Sequence, residues 1–489
     1  MEASGGALNK LGGLFRDRYF IALIIIMVIG AVLRFYRISF QSLWIDEGAT
    51  YYYVLNDVFG ILTQTEQTPP PFYIIEHYSY VLLGHSELSL RLPAALFGIA
   101  SIPAIYFLGK EIHSKNVGLL AAVALALSPF HIWYSQTARP YAFMLFFFIL
   151  FLIFFIRAYR SGGRKDWLIA GILAAVTFYF HFYMILFIGL AAVFFLVWNK
   201  YVPSDRRPDE MKNAIRGFIA FLILSIPLFF MMAWYALRHL AIYSDAYADC
   251  WNHGLDYGYM TLYNIFYGNV ISLLIFAAVI LFCSYCMIKQ GKDRANYFMV
   301  FLGAVPIIVL TGMSFYFGMD SRYSFFLIPV YYILFGSILK YAPSKIDKRI
   351  VAAVAVGFLA VSCAVIMPTQ YTEYDKADFR GAGEALYAAT SPGDTVIYLP
   401  PVKDTMYGPL SFYYDNTQDG TIITTATWVG DLEEKISDAV AGGGDVFLVI
   451  CYQNGWGVKQ YEGWLADKAE PPLFQGYEIS VFKVDKSKI

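Results

Sequence analysis

The chain has 489 residues, 58% of them apolar or aromatic and 15% charged, with 42 Phe, 39 Tyr and a net charge of −1. Soluble domains carry about 25% charged residues, so this composition excludes a disordered chain and points to a polytopic membrane protein. Five Cys build no disulfide framework, and the near-zero net charge excludes a nucleic-acid partner.

A spanning helix needs about 20 mostly apolar residues. Eleven stretches are predicted to span: 19–36, 91–109, 117–133, 141–156, 167–180, 182–198, 217–235, 262–288, 297–316, 323–339 and 350–367. The fifth and sixth come from one apolar run, divided at Tyr179-Phe180-His181-Phe182-Tyr183 because it is too long for one crossing. The first has no small-residue cleavage site and runs into Arg34 and Arg37, unlike a signal peptide. Basic residues then set the orientation. With the N-terminus (Lys10, Arg16, Arg18) in the cytoplasm, the alternate loops place 21 Lys and Arg inside. Only Arg34, Arg37, Arg91, Arg139, Arg238 and Arg322 fall outside before residue 368, with no Lys among them. The expected protein is a multi-pass plasma-membrane protein in two parts, a membrane domain (1–367) and an extracytoplasmic domain (368–489).

The first outer loop, about 37–90, contains two Tyr-rich amphipathic stretches, Glu47 to Phe59 and Pro71 to Leu83, on either side of Pro69-Pro70-Pro71. Both are expected to form helices along the membrane surface. After residue 368 short apolar runs alternate with polar helical stretches. Helices are expected at Asp378–Ala389 and Leu432–Val440, and strands at Asp394–Leu399, Asp445–Cys451 and Glu478–Val484. This pattern reads as a small α/β domain. Its triple glycine, Gly442-Gly443-Gly444, reads as a helix stop rather than a nucleotide loop. Asp378-Phe379-Arg380, near the membrane exit, is either an acceptor gate or a packing contact.

Chemistry-bearing residues are few. Asp46 and Glu47 form an acidic pair just after the first span, in Trp44-Ile45-Asp46-Glu47-Gly48. Such a pair serves as a helix cap, a general base or a metal site. The outer arginines suit bidentate phosphate recognition, or contact lipid headgroups and local acids such as Asp320. No two of the seven His have the spacing of a metal-ligand pair. His181 alone lies in a turn at site depth, either lining a site or satisfied at the interface. Cys283 and Cys286, within an apolar helix, read as core.

The ordered string of WIDEG (44–48), TPPPFY (68–73), ELSLRLPA (87–94), YSQTARPYAF (134–143) and the late Arg322-Tyr323 resembles the GT-C membrane glycosyltransferases, the protein O-mannosyltransferase and aminoarabinose transferase group. The resemblance covers about residues 15–340. It implies a GT-C-like fold that moves a sugar, with inversion, from a polyprenyl-phosphate donor to an acceptor hydroxyl on the outer face. The acceptor would be a protein, a glycolipid or a polysaccharide. The acidic pair then becomes catalytic, with Asp46 as base and Glu47 in support. Arg139 and Arg322, then Arg91 and Arg37, are the donors expected to meet the lipid phosphate, with Tyr323 and Tyr141 adding hydrogen bonds. His181, Gln136, Pro70 and Tyr73 are expected to line the site. A divalent metal, if one is used, falls to Asp46 and Glu47. The chain departs from the group at Gln67-Thr68, where aminoarabinose transferases carry Lys, and at Thr137, where many relatives carry an acid. A flippase of lipid-linked sugars and a non-catalytic scaffold are the alternatives, although the chain shows no internal repeat or mid-span carboxylate.

The topology predicts that a reporter phosphatase fused after Ile489 is active and one fused within loop 343–347 is inactive. The reverse pattern would invert the orientation.

Overall fold

The computed structural model describes residues 17–64, 68–201, 209–239, 252–290, 293–316, 318–399, 409–414, 422–426, 429–452 and 459–489. Lys10, Arg16 and Gln67 lie outside them. Nine helices among these residues are long and apolar enough to cross a membrane, and the bent pair Lys115–Ala126 with Pro129–Ser135 makes ten if it is one span. Eleven were expected. The fifth expected span is the 15-residue helix Arg164–Phe178, about 22 Å long against a hydrocarbon core of about 30 Å. The eighth starts at Val270, because Gly254–Ile265 forms a separate helix before it. The last runs from Lys348 to Thr372, past the expected boundary at 367. The first outer loop contains helices Ile45–Val54, Val58–Gln64 and Pro70–Leu83.

Small residues set the closest helix contacts. A Cβ on Gly171 would collide with the carbonyl of Gly217, and one on Gly118 with that of Tyr106. Such positions let membrane helices approach closely.

The bent pair is the main irregularity, and the last four carbonyls of its first helix are all met. In a membrane, unpaired carbonyls cost several kcal/mol each, on the order of a lost hydrogen bond in hydrocarbon. The 63° bend at Leu127-Ser128 leaves the last carbonyls of the Lys115–Ala126 helix without their usual partners. Leu127 N–H donates to Val123 O at 3.0 Å. The Tyr267 hydroxyl donates to Ala124 O at 2.6 Å. Arg34, fully buried at the end of the first span, donates to Leu125 O at 3.0 Å and Ala126 O at 3.1 Å. The nitrogen that donates to Leu125 O, Nη2, also lies 2.6 Å from His131 Nδ1. Arg34 is therefore a buried strut rather than an interfacial cation.

The C-terminal domain contains a five-stranded sheet in the order β2-β1-β3-β5-β4. Strands β1 (Thr395–Leu399), β2 (Ile422–Thr425) and β3 (Val446–Cys451) are parallel; β5 (Ile479–Lys483) runs antiparallel to β3, and β4 (Phe474–Gly476) antiparallel to β5. Alternation along β1 sends Val396 and Tyr398 to a face covered by helix Phe379–Ala389. Ile397 and Leu399 face helices Val429–Ala441 and Lys459–Lys468. Asp378 caps its helix by accepting from Gly381 N–H. β2, β4 and the helix Lys459–Lys468 are additions to the expected α/β pattern.

Arg34→Met is predicted to strip the two carbonyls of their donors and lower stability by about 2–5 kcal/mol. A thermal-unfolding midpoint in detergent equal to that of the parent protein would refute the strut role.

Candidate active site at the outer face

Trp44 begins helix Ile45–Val54, and Glu47, three residues on, accepts the Trp44 N–H at 3.3 Å, half of a capping box. Adjacent helical residues point about 100° apart. Glu47 consequently turns into the protein while Asp46 faces the cleft.

Glu47 is fully buried. Arg91 grips it bidentately, Nε to Oε1 and Nη2 to Oε2, each at 2.8 Å. Lys376 Nζ lies 3.0 Å from Oε2, and Ala138 N–H donates to Oε1 at 2.8 Å. Burial alone would raise the acid's pKa, but Arg91 and Lys376 outweigh it and hold the carboxyl at about 2. Burial in turn pushes the Lys376 ammonium down to about 8.

Asp46 keeps 28% of its side chain exposed. Its Oδ2 lies 2.6 Å from Arg322 Nη1 and 3.9 Å from Arg139 Nε. Arg139 also donates to the Asp46 carbonyl at 3.3 Å, and its buried Nε has no hydrogen-bond partner among the described residues. Arg322 follows Asp320, which caps the 3-10 helix Ser321–Leu327 and lies 3.6 Å from the Arg322 Nε. The Arg322 guanidinium also covers the rings of Trp44 and Tyr323. A carboxylate facing two nearly buried guanidinium groups can accept a proton beside an anion that those groups bind.

The surrounding aromatic residues close this pocket. The Tyr141 ring lies 5.6 Å from His181, and His181 lies 6.1 Å from Tyr323. His181 Nδ1 accepts Tyr183 N–H, and burial, with Arg139 and Arg322 nearby, drives its pKa down to about 3. It is a neutral imidazole at neutral pH. Tyr73 is buried beside Arg139 and Thr68, and burial raises its hydroxyl pKa.

Thus Asp46, Arg139, Arg322, Tyr141, Tyr323, His181 and Tyr73 converge. Four expected site residues take other roles. Arg91 is corrected from phosphate ligand to internal clamp, since it is 1% exposed and its remaining donors go to the carbonyls of Ile38, Gln41 and Ser42. Gln136 is corrected from site lining to a cap on the first span: its amide donates to the carbonyls of Arg34 at 3.0 Å and Tyr36 at 2.9 Å. Arg37 lays its guanidinium over Phe40, 3.6 Å from the ring centre, and not on Asp46. Pro70 is the buried first residue of its helix and offers no donor. Arg380 joins packing contacts: it bonds Glu87 at 2.6 Å and the Ser39 carbonyl at 2.8 Å, which makes Asp378-Phe379-Arg380 a docking element.

The acidic pair does not fit a metal. Glu47 faces two cations, Asp46 faces two more, and no group of three His, Cys, Asp or Glu among the described residues has ligand geometry.

Two residues escaped the sequence reading. Lys376 is 329 positions from Glu47, at a domain junction, and no motif marks it. Glu76 is fully buried on helix Pro70–Leu83, and neither of its oxygens has a hydrogen-bond partner among the described residues. Burial, with the Glu47 charge nearby, raises its pKa well above the ordinary value and so favours its protonated form.

The family described as dolichyl-phosphate-mannose-protein mannosyltransferase matches residues 66–234. That span includes Arg91, Arg139, Tyr141 and His181, but not Asp46, Glu47 or Arg322. The putative mannosyltransferase YkcB of Bacillus subtilis (strain 168) is 29% identical over 120 residues, which is 24% of this chain and 16% of that relative. Among solved structures, ArnT from Cupriavidus metallidurans in the apo state superposes with TM-score 0.64 at 11% identity, over 95% of this chain and 98% of that one. The same protein bound to undecaprenyl phosphate gives 0.61 at 13% identity, over 95% and 98%. The Archaeoglobus fulgidus oligosaccharyltransferase in the apo form gives 0.59 at 12% identity, over 90% of this chain and 70% of that one. The fold is that of the GT-C membrane glycosyltransferases, and the chain resembles their PMT-like and ArnT-like group.

Two stability predictions follow from the buried acids. Glu47→Gln leaves Arg91 and Lys376 facing no charge, and is expected to cost about 3–5 kcal/mol in unfolding experiments. Glu76 behaves oppositely. Its folded pKa lies above its ordinary 4.5, so its contribution is fully favourable below that value and is lost as pH rises through the folded pKa. Glu76→Gln is therefore expected to raise the unfolding midpoint at pH 7.5 and to leave it nearly unchanged at pH 4.5. No gain at pH 7.5 would refute the buried neutral acid.

Proposed function

We propose that this chain is a membrane glycosyltransferase that takes a sugar from a polyprenyl-phosphate carrier and delivers it to an acceptor hydroxyl at the outer face. The observation that carries this reading is the half-open Asp46 carboxylate held against Arg139 and Arg322. The family description, the curated relative and a structural neighbour bound to undecaprenyl phosphate support the same class of donor.

This geometry supports the following reaction. The lipid phosphate enters beside Arg139 and Arg322, whose guanidinium groups offset the charge that grows on it as the sugar leaves. The acceptor oxygen attacks the anomeric carbon from the face opposite the phosphate. As the new C–O bond forms, the bond from the anomeric carbon to the phosphate oxygen breaks, and its electron pair stays on the phosphate. The hydroxyl proton passes to Asp46. The carrier leaves as polyprenyl phosphate, and the anomeric configuration inverts. The leaving phosphate needs no strong general acid, consistent with a neutral His181 at the site's edge. Tyr141 and Tyr323 supply hydroxyls near the phosphate position. Glu47 acts through Asp46, by fixing the helix they share.

The family description names mannose, which makes polyprenyl-phosphate mannose the first donor to test. Purified protein in lipid, supplied with labelled donor and membrane acceptors, is expected to give labelled product and free carrier. Asp46→Asn should lower kcat by about 10²–10⁴-fold. Arg322→Gln should raise KM for the donor and lower kcat. Retained turnover in Asp46→Asn would refute the base assignment, and flipping of the carrier without chemical conversion would refute the reaction.

A further inference from the structure

We infer that Lys376, in the segment joining the last span to the outer domain, is a positioning residue for the transfer reaction, acting through Glu47. The inference rests on the glycosyltransferase reading above and assigns the outer domain a part in it.

Lys376 is 3% exposed, with its ammonium 3.0 Å from Glu47 Oε2 and 4.7 Å from the centre of the Trp133 ring. Charge balance does not require it there. Arg91 already neutralises Glu47 through two 2.8 Å bonds, so Lys376 is a second cation on a carboxylate that is already paired. Burying an ammonium costs several kcal/mol, on the order of what its pairing returns.

Attachment of the outer domain does not require it either. Gln41 donates to the Glu373 carbonyl at 2.8 Å, and His85 Nε2 lies 2.9 Å from the Phe412 carbonyl. The Tyr413 hydroxyl accepts Leu43 N–H at 2.8 Å and donates to Glu87 at 3.0 Å, next to the Arg380–Glu87 pair. The domain is docked at several points without a buried cation.

What Lys376 adds is a third direction of pull on Glu47. Arg91 holds the carboxylate from the Glu87–Ile112 span, and Ala138 N–H holds it from the loop before Arg139. Lys376 closes the remaining side of Oε2. Asp46 is the next residue to Glu47, and Arg139 the next to Ala138, so a shift of this carboxylate moves both the base and a phosphate ligand. The charged groups facing Lys376 are Glu47, Arg91 and Asp375, with Glu478 near Asp375. Its ammonium titrates at about 8, whereas a guanidinium in its place would stay charged.

The test compares Lys376→Met and Lys376→Arg with the full-length parent in the transfer assay, across pH 6.5 to 9.5. Lys376→Met is expected to lower kcat by about 10- to 100-fold, the scale of a small misplacement of reacting groups, with KM for the donor little changed. Lys376→Arg should restore most of kcat. The parent should lose rate above pH 8, and Lys376→Arg should lack that alkaline limb. If Lys376→Met does not fold, the pH profile of Lys376→Arg decides alone. An unchanged kcat in Lys376→Met, or an alkaline limb retained in Lys376→Arg, overturns the role of Lys376 while leaving the glycosyltransferase reading intact. A parent protein that transfers no sugar overturns both.

Discussion

The candidate active site of this protein is organised around one buried carboxylate. Glu47 takes donors from its own helix at Trp44, from the Glu87–Ile112 span through Arg91, from the loop at Ala138, and from the outer-domain junction through Lys376. These four segments lie far apart in sequence and meet at two oxygen atoms. A surface ion pair would be worth little, because water competes for each partner. Here the partners are 0–3% exposed, and losing one strands the others in a medium that penalises unpaired charge. The arrangement thus ties the relative positions of the segments to the satisfaction of one group.

The bend in the third span serves the same end from below. The loop carrying Ala138 and Arg139 follows the short helix Pro129–Ser135, which sits in place only because the chain breaks at Leu127-Ser128. A broken helix in a membrane needs substitutes for its lost hydrogen bonds. Arg34 and Tyr267 supply them, and the Tyr332 hydroxyl reaches Ser128 Oγ at 2.8 Å. Gln136 then fastens the end of that loop to the last carbonyls of the first span. Arg34, counted among the outer arginines, and Gln136, expected to line the site, brace the backbone that presents Arg139.

What the sequence could and could not reveal follows from this division. Hydropathy marks long apolar helices, and it located most of their ends within a few residues, the start of the eighth being eight residues out. It cannot distinguish one straight span from two helices bent at Ser128, since both bury the same apolar residues, nor show that the helix Arg164–Phe178 has only 15 residues. Period-two and helical patterns revealed β1, β3 and β5 of the outer domain, but β2 and β4 have four and three residues, too few to show a period. At the site, Asp46, Arg139 and Arg322 stood out because charge is scarce outside. Charge alone did not separate Arg139 from Arg91. That distinction is one of exposure and partner, set by contacts between residues 44 positions apart. Lys376 and Glu76 carried no local signal at all.

The adjacent acids show why this distinction matters for function. Asp46 and Glu47 have the same chemistry and neighbouring places on one helix, and their environments separate them. Glu47 is sealed, its carboxyl is held at about 2, and both oxygens are occupied by fixed donors. A group in that state cannot take a proton from a substrate near neutral pH or reach one. Asp46 is partly open, and its cationic partners are side chains at the cleft rather than internal clamps. An arriving phosphate competes for those same guanidinium groups, and each hydrogen bond they shift to it loosens their hold on Asp46. On the proposed reading, donor binding would free the Asp46 carboxylate for the acceptor hydroxyl. Pairs of acids whose environments push them toward different roles are a recurring device in enzymes. In this chain, the sealed member makes the open one dependable, because only a rigid helix can keep Asp46 at the cleft while its ion pairs are exchanged for those of the substrate.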